Sequence, residues 1–126
     1  MKPIKVLLVD DEKTFVETLS QRLKMRGFNA DTVYSGDSAI EYLTAKTADI
    51  VVLDVKMPGV DGIEVLKWIK ANRAEIPVIL LSGYSSEEEE TEAHRLGVFD
   101  FQRKPPEIAH LIEAIKKACS AKSLEE

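Results

Sequence analysis

Strand-like and helix-like segments alternate from end to end of this 126-residue chain. That alternation predicts an α/β fold, a doubly wound parallel sheet of five strands with five helices laid on its two faces. Three observations carry the expectation. Short, nearly continuous apolar runs recur, as strands buried on both faces require. Between them, apolar residues return at helical spacing. Turn and cap residues stand where one pattern gives way to the other.

The first strand is Ile4–Val9, and Val16, Leu19 and Leu23 form the stripe of the first helix, which Gly27 follows as a C-cap. Asn29–Tyr34 is the second strand, half polar and therefore suited to a sheet edge. Ser35-Gly36-Asp37 opens the second helix. The third strand, Ile50–Leu53, runs directly into Asp54, and Pro58-Gly59 marks the turn before a helix striped by Ile63, Leu66 and Ile69. Val78–Leu81 is the fourth strand. The fourth helix begins in Ser85-Ser86-Glu87-Glu88-Glu89-Glu90, with capping-box spacing from Ser85 to Glu88 and from Ser86 to Glu89. Val98–Gln102 is the fifth strand, and Ile108, Leu111, Ile112 and Ile115 give the last helix the clearest stripe of all.

A hydrophobic content of 44% in 126 residues supports one domain with a substantial core. The formal net charge of −5 leaves no broad basic field, so direct nucleic-acid binding is not expected. No apolar stretch approaches the roughly 18 residues of a membrane span, and the start of the chain carries no secretory apolar region, so a cytoplasmic location without membrane insertion is expected. Cys119 is the sole cysteine, which leaves no internal disulfide and no cysteine-built zinc site. His94 and His110 have no second ligand at metal spacing and fall in exposed helical contexts.

The chemistry concentrates at strand ends. If the strands are parallel, Asp10 and Asp11 after the first and Asp54 after the third meet at one sheet edge, where open α/β sheets bind ligands. Three close carboxylates repel one another and call for protons or a cation, and oxygen ligands of this kind suit Mg²⁺. Asp10-Asp11-Glu12 taken alone reads more simply as a helix cap; the combination with Asp54 reverses that preference. A metal-bound carboxylate is a competent nucleophile toward a phosphoryl group, giving an aspartyl-phosphate. Its three oxygens then need partners. Ser82 can donate to one, Lys104 can pair with a second, and the metal can hold the third. Taken alone, Ser82 is an ordinary turn hydroxyl and Lys104 a solvated lysine. The Lys104-Pro105 bond can be cis, which would direct the lysine inward.

In this order and spacing, Leu7-Leu8-Val9-Asp10-Asp11-Glu12, Val51 to Gly62, Val78-Ile79-Leu80-Leu81-Ser82-Gly83 and Lys104-Pro105 are highly specific, and the chain resembles the receiver domain of two-component response regulators. The resemblance implies a flavodoxin-like sheet of order 2-1-3-4-5. It implies Asp54 as phosphoacceptor, Asp10, Asp11 and the Lys56 backbone carbonyl as Mg²⁺ ligands with Asp54, Ser82 as the switch hydroxyl, Lys104 as the phosphate-pairing cation and Phe101 as the aromatic switch. It also implies a histidine kinase or phosphotransfer protein as donor. The output would be an output domain or target protein on the face of helix 4, strand 5 and helix 5. Residues 1–122 would be the receiver and 123–126 a tail, with no output domain, as a monomer or a weak phosphorylation-dependent dimer. Phe101 lacks a tyrosine hydroxyl, Pro106 stands where a phenylalanine is common, and Lys56 and Tyr84 flank the phosphoryl position and bear on its lifetime.

Two other functions compete with this switch, which is not an enzyme beyond its own phosphorylation and dephosphorylation. An autonomous phosphohydrolase would use the same nucleophile, but aspartate-based phosphatases usually present Asp-x-Asp after their first strand, and here that strand ends in Asp10-Asp11. A degenerate receiver serving only as a binding platform would have no need of the five site residues, all of which are present.

Overall fold

The computed structural model describes residues 2–124. In chain order its elements are β1 (Lys5–Val9), α1 (Lys13–Met25), β2 (Asn29–Val33), α2 (Gly36–Ala45), β3 (Ile50–Asp54), α3 (Gly62–Asn72), β4 (Val78–Ser82), α4 (Glu87–Arg95), β5 (Asp100–Arg103) and α5 (Ile108–Leu124). The strands form one parallel sheet in the order β2-β1-β3-β4-β5. The chain moves outward from β1 to β2 and then crosses back to β3, so strand order reverses between β1 and β3. A crevice opens there, outside the carboxyl ends of the strands. Of the expected tail, Ser123 and Leu124 continue α5, and Glu125 and Glu126 lie outside the described residues.

The period-2 alternation of each strand divides the core into two layers. Leu7, Val9, Val51, Leu53, Val78 and Leu80 face α2, α3 and α4, where Leu43, Leu66, Ile69 and Ala93 meet them. Val6, Leu8, Ile50, Val52, Ile79 and Leu81 face α1 and α5, packing with Val16, Leu23, Leu111 and Ile115. Burial of each large aliphatic side chain contributes about 1.5–3 kcal/mol, so the sheet is anchored from both sides. The outer strands are less buried, and half-polar β2 takes an edge as its composition requires.

Local chemistry sets the boundaries. Gly27 (φ 90°) ends α1 by donating from its N–H to the Lys24 carbonyl at 3.1 Å while Phe28 N–H reaches Leu23 O at 3.1 Å, the paired bonds of a Schellman turn. Ser35 and Asp61 cap α2 and α3 by accepting from the Ser38 and Glu64 amides. Of the two capping boxes open to α4, Ser86 with Glu89 forms. β5 starts two residues later than the apolar pattern suggests. Val98 is taken up by the end of α4, its N–H bonded to Ala93 O at 3.1 Å, and Phe99 N–H makes the first contact with Val78 O at 2.8 Å. Conversely, β3 and β4 run one residue further than their apolar runs, because Asp54 pairs with Leu81 and Ser82 with Arg103 in the ladder. Two polar side chains are thereby held on rigid strand.

At the opposite end of the sheet, Arg73 closes the far loops. Its guanidinium donates to Leu43 O at 2.7 Å, Lys46 O at 3.3 Å and Thr47 Oγ1 at 2.8 Å, and pairs with Glu75 at 3.0 Å.

Candidate functional site

The strand ends bring the expected residues together. The ligand oxygens of Asp10, Asp11 and Asp54 all lie within 4.8 Å of one another. Asp10 and Asp54 are 2% and 5% exposed, so both carboxylates are held largely out of water, whereas Asp11 is exposed. Register explains the grouping: Val9 pairs with Leu53, so the residues that follow on β1 and β3 emerge side by side. Asp10 is fixed further by its own amide, which bonds Val33 O at 3.2 Å, and by accepting from Glu12 N–H at 2.8 Å through Oδ1.

Lys104 enters from the far side of the site. The Lys104-Pro105 bond is cis and the lysine side chain faces inward, 9% exposed. Its Nζ lies 2.9 Å from Asp10 Oδ2, 2.5 Å from Glu12 Oε1 and 3.6 Å from Asp54 Oδ2, and rests 4.7 Å from the centre of the Phe15 ring. Asp54 is thus the most loosely paired of the three acids around it.

The electrostatics follow from that spacing. Burial, reinforced by the charges of Asp10 and Asp11 and opposed by Lys104, pushes the Asp54 carboxyl up to about 6. Burial likewise raises Asp10, against the hydrogen bond from Lys104. Burial by itself would lower the Lys104 ammonium, but its bonds to Glu12 and Asp10 prevail and hold it above the ordinary lysine range. These are carboxylates under mutual repulsion with one cation among them, and a small, hard divalent ion with oxygen ligands fits that donor set.

Ser82 is 4% exposed, and its Oγ is a buried side-chain oxygen without a hydrogen-bond partner. Buried hydroxyls are nearly always paired, so an orphan at this strand end is suited to a ligand oxygen. Phe101 is half-buried against the α3 and α4 layer, with its ring centre 6.4 Å from that of His94. Beside it a cavity of about 570 Å³ reaches from Ser82 and Tyr84 to Arg103. Tyr84 is 81% exposed. Gly62 accounts for how α3 approaches the site: a Cβ there would stand 2.2 Å from the Asp54 carbonyl oxygen, so only glycine admits this packing.

Three residues make contacts that no motif specifies. Glu12 is the N-terminal boundary residue of α1, yet its side chain makes no cap and goes to Lys104 instead, which overturns the capping alternative for this residue. Phe15 supplies the ring beneath the Lys104 ammonium. Lys56, in the loop after β3, is exposed and pairs with Glu89 of α4 at 2.6 Å. Adjacency to Asp10-Asp11 was the available signal for Glu12 and the position two residues past Asp54 that for Lys56, though not for its partner; nothing local signals Phe15.

Comparison with known proteins agrees with the geometry. The chain is 33% identical over 113 residues to the DNA-binding transcriptional regulator NtrC of Klebsiella pneumoniae, covering 90% of this chain and 24% of that protein. It is 36% identical over 115 residues to the transcriptional regulatory protein ZraR of Salmonella typhimurium, covering 91% and 26%. The chain therefore spans about a quarter of the length of these curated relatives. Among solved structures, a response regulator receiver domain protein from Clostridium thermocellum superposes with a TM-score of 0.92 at 30% identity, covering 98% of this chain and 99% of that one. A CheY-like receiver from Methanospirillum hungatei gives a TM-score of 0.94 at 22% identity, over 98% and 99%, which speaks to the fold alone. Because the profile of the response regulator receiver domain also matches residues 6–116, most of the sheet and all of the clustered side chains, the chain belongs to the response regulator receiver domain family.

Proposed function

We propose that this receiver takes a phosphoryl group onto Asp54 from a histidine kinase or phosphotransfer protein, in a Mg²⁺-dependent reaction, and signals by changing conformation. The observation that carries the reading is the arrangement around Asp54: a buried nucleophile with two further carboxylates, an inward lysine and an unpaired serine hydroxyl. An Asp54 oxygen attacks phosphorus as the bond to the donor nitrogen breaks, and the donor, protonated at its other ring nitrogen, leaves as neutral imidazole. The product is an acyl phosphate on Asp54. Asp10, Asp11, Asp54 and the Lys56 carbonyl would hold Mg²⁺, whose charge offsets that of the phosphoryl oxygens when bound.

The chain's own groups do the rest. Asp54 sits on rigid strand and needs no reorganisation to attack. Lys104, only 3.6 Å from Asp54, is placed to meet one phosphoryl oxygen, and Ser82 Oγ has its hydrogen bond still to give to another. Movement of Ser82 toward the phosphate opens room beside the cavity for Phe101 to turn further inward. That would repack the α4, β5 and α5 face on which an output domain or target protein acts, biasing a two-state element that already exists in the unmodified chain. Among the described residues no helix is long and apolar enough to cross a membrane.

Incubation with acetyl phosphate and Mg²⁺, followed by intact-mass measurement, tests the assignment. One phosphoryl addition that decays slowly, is lost with EDTA and is absent in Asp54→Asn is the expected result. Full labelling of Asp54→Asn would refute it, and rapid continuous release of phosphate would mean turnover rather than switching.

A further inference from the structure

Lys56 and Glu89 are 33 residues apart in sequence and belong to different structural units, yet they make the short contact that joins them. Lys56 lies two residues beyond Asp54, and its Nζ donates to Glu89 Oε2 at 2.6 Å. The other oxygen of the same carboxylate is already in use. Glu89 Oε1 accepts from the backbone N–H of Ser86 at 3.0 Å and lies 3.3 Å from its hydroxyl, while Ser86 Oγ accepts from Glu89 N–H at 3.1 Å. One side chain therefore closes the capping box of α4 and ties that helix to the loop that follows β3, two residues past Asp54. Two weaker contacts also hold this helix, the Lys67–Glu92 pair with α3 at 3.7 Å and the His94 ring 6.4 Å from that of Phe101, and both lie beyond its first turn. The helix buries only Ala93, and its first turn places four glutamates, Glu87 to Glu90, in sequence.

We propose that the Lys56–Glu89 pair is a latch between the Asp54 loop and the first turn of α4, and that a phosphoryl group on Asp54 opens it by drawing Lys56 away from Glu89. This rests on Asp54 being the phosphoacceptor. Physical chemistry sets the direction. Asp54 ionised carries one negative charge and its phosphate carries close to two, with additional acceptor oxygens. Lys56 is 57% exposed and on a flexible stem, so it can exchange a monoanionic carboxylate for a dianion at small cost in ordering. Glu89, 24% exposed, then retains its bonds to Ser86 but loses its tie to the loop after β3. The first turn of α4 is left with unscreened like charges and is free to shift. Asp61 and the Tyr84 phenol also act on the Lys56 ammonium, and the Asp61 side chain is occupied in capping α3.

The test uses two variants that separate the latch from the cap. Glu89→Gln keeps an acceptor for the Ser86 amide, as capping boxes permit, but removes the charge. Lys56→Met removes the cation and leaves the cap intact. Hydrogen exchange of amides 87–90 in the unphosphorylated protein is expected to rise by about two- to fivefold in each, the scale of an exposed ion pair, and the double variant to rise no further. In the parent protein treated with acetyl phosphate and Mg²⁺, the Glu89 Cδ resonance is expected to move to the position it has in Lys56→Met. Intact mass of the same sample reports whether Asp54 is modified. A mass addition with Glu89 Cδ unmoved overturns the latch and leaves the phosphoacceptor standing. No mass addition overturns both. Unchanged exchange in both single variants overturns the restraint on α4 whatever the phosphate does.

Discussion

Replacing Asp54 by Asn is expected to stabilise the metal-free protein at neutral pH. Asp54 is 5% exposed and its carboxyl is raised from 3.8 to about 6, chiefly by burial and then by Asp10. The unfolded chain gives up this proton near its ordinary value, while the folded protein holds it to about 6. Folding is therefore penalised once pH exceeds the unfolded value, and the penalty is complete above the folded one. Two units at about 1.4 kcal/mol each give about 3 kcal/mol at pH 7 as an upper figure, since an amide will not satisfy the site as well as a protonated carboxyl. The expected gain for Asp54→Asn is about 1–3 kcal/mol. For a domain of this size that is about 4–12 °C in Tm, taking about 4 °C per kcal/mol.

Thermal unfolding followed by circular dichroism in EDTA reads this directly. The advantage of the variant should be full at pH 7 and 8, shrink through pH 6 to 4 and vanish below the unfolded value. Saturating Mg²⁺ should narrow it, because the parent gains more by binding than a variant that has lost one ligand. An Asp54→Asn protein that melts at or below the parent at pH 7 in EDTA would refute the argument that Asp54 is a strained, desolvated charge. A gain that does not depend on pH would place its cause elsewhere.

Three other outcomes are expected. Arg73→Ala should cost about 1–3 kcal/mol in urea unfolding without slowing phosphorylation, because it leaves the Leu43 carbonyl at a part-buried position without its guanidinium partner, far from Asp54. Gly62→Ala should lower both stability and the rate of acetyl phosphate labelling, since the added Cβ would force the Asp54 carbonyl to move from 2.2 Å; a variant with normal labelling would show that α3 can retreat without disturbing the nucleophile. Tyr84→Ala should shorten the phosphoryl lifetime, measured as decay of the mass addition, if the exposed ring closes over the modified site; equal decay would mean that it does not shield.

What could be read from sequence was whatever rests on local pattern plus one topological rule. Asp10, Asp54 and Ser82 each terminate an apolar strand, so a parallel sheet is enough to bring them to one edge. Lys104 needed only the end of β5 and the proline that follows. The edge position of β2 was legible in its polarity. The start of β5 was not, because Val98 is apolar whether it lies in a strand or in a helix-ending turn, and the bond it makes to Ala93 settles the matter. Pairings of long charged side chains were also hidden. Glu12 lies 92 residues from Lys104 and Glu89 lies 33 from Lys56, and no periodicity encodes which of 22 acidic residues a given lysine will choose.

Those hidden pairs decide where a signal can leave the site. Lys104 beside Asp54 and Lys56 two residues past it already have glutamate partners outside the carboxylate trio, so either lysine that the proposed phosphoryl group recruits has to be drawn from Glu12 or Glu89. The two losses are unequal. Glu12 is 65% exposed at the side chain and bonds to Lys104, so once released it is rehydrated where it stands. Glu89 is 24% exposed and is built into the first turn of α4, so its release changes the forces on a helix. Disturbance should accordingly run into α4 and die out at the start of α1. Glu12→Gln tests this asymmetry. Freed of that carboxylate, Lys104 should lie closer to Asp54, and acetyl phosphate labelling should change in rate, while amide resonances of residues 87–90 stay at their parental positions. If Glu12→Gln moves those resonances as far as Glu89→Gln does, the two glutamates are equivalent and α4 holds no privileged place in the response.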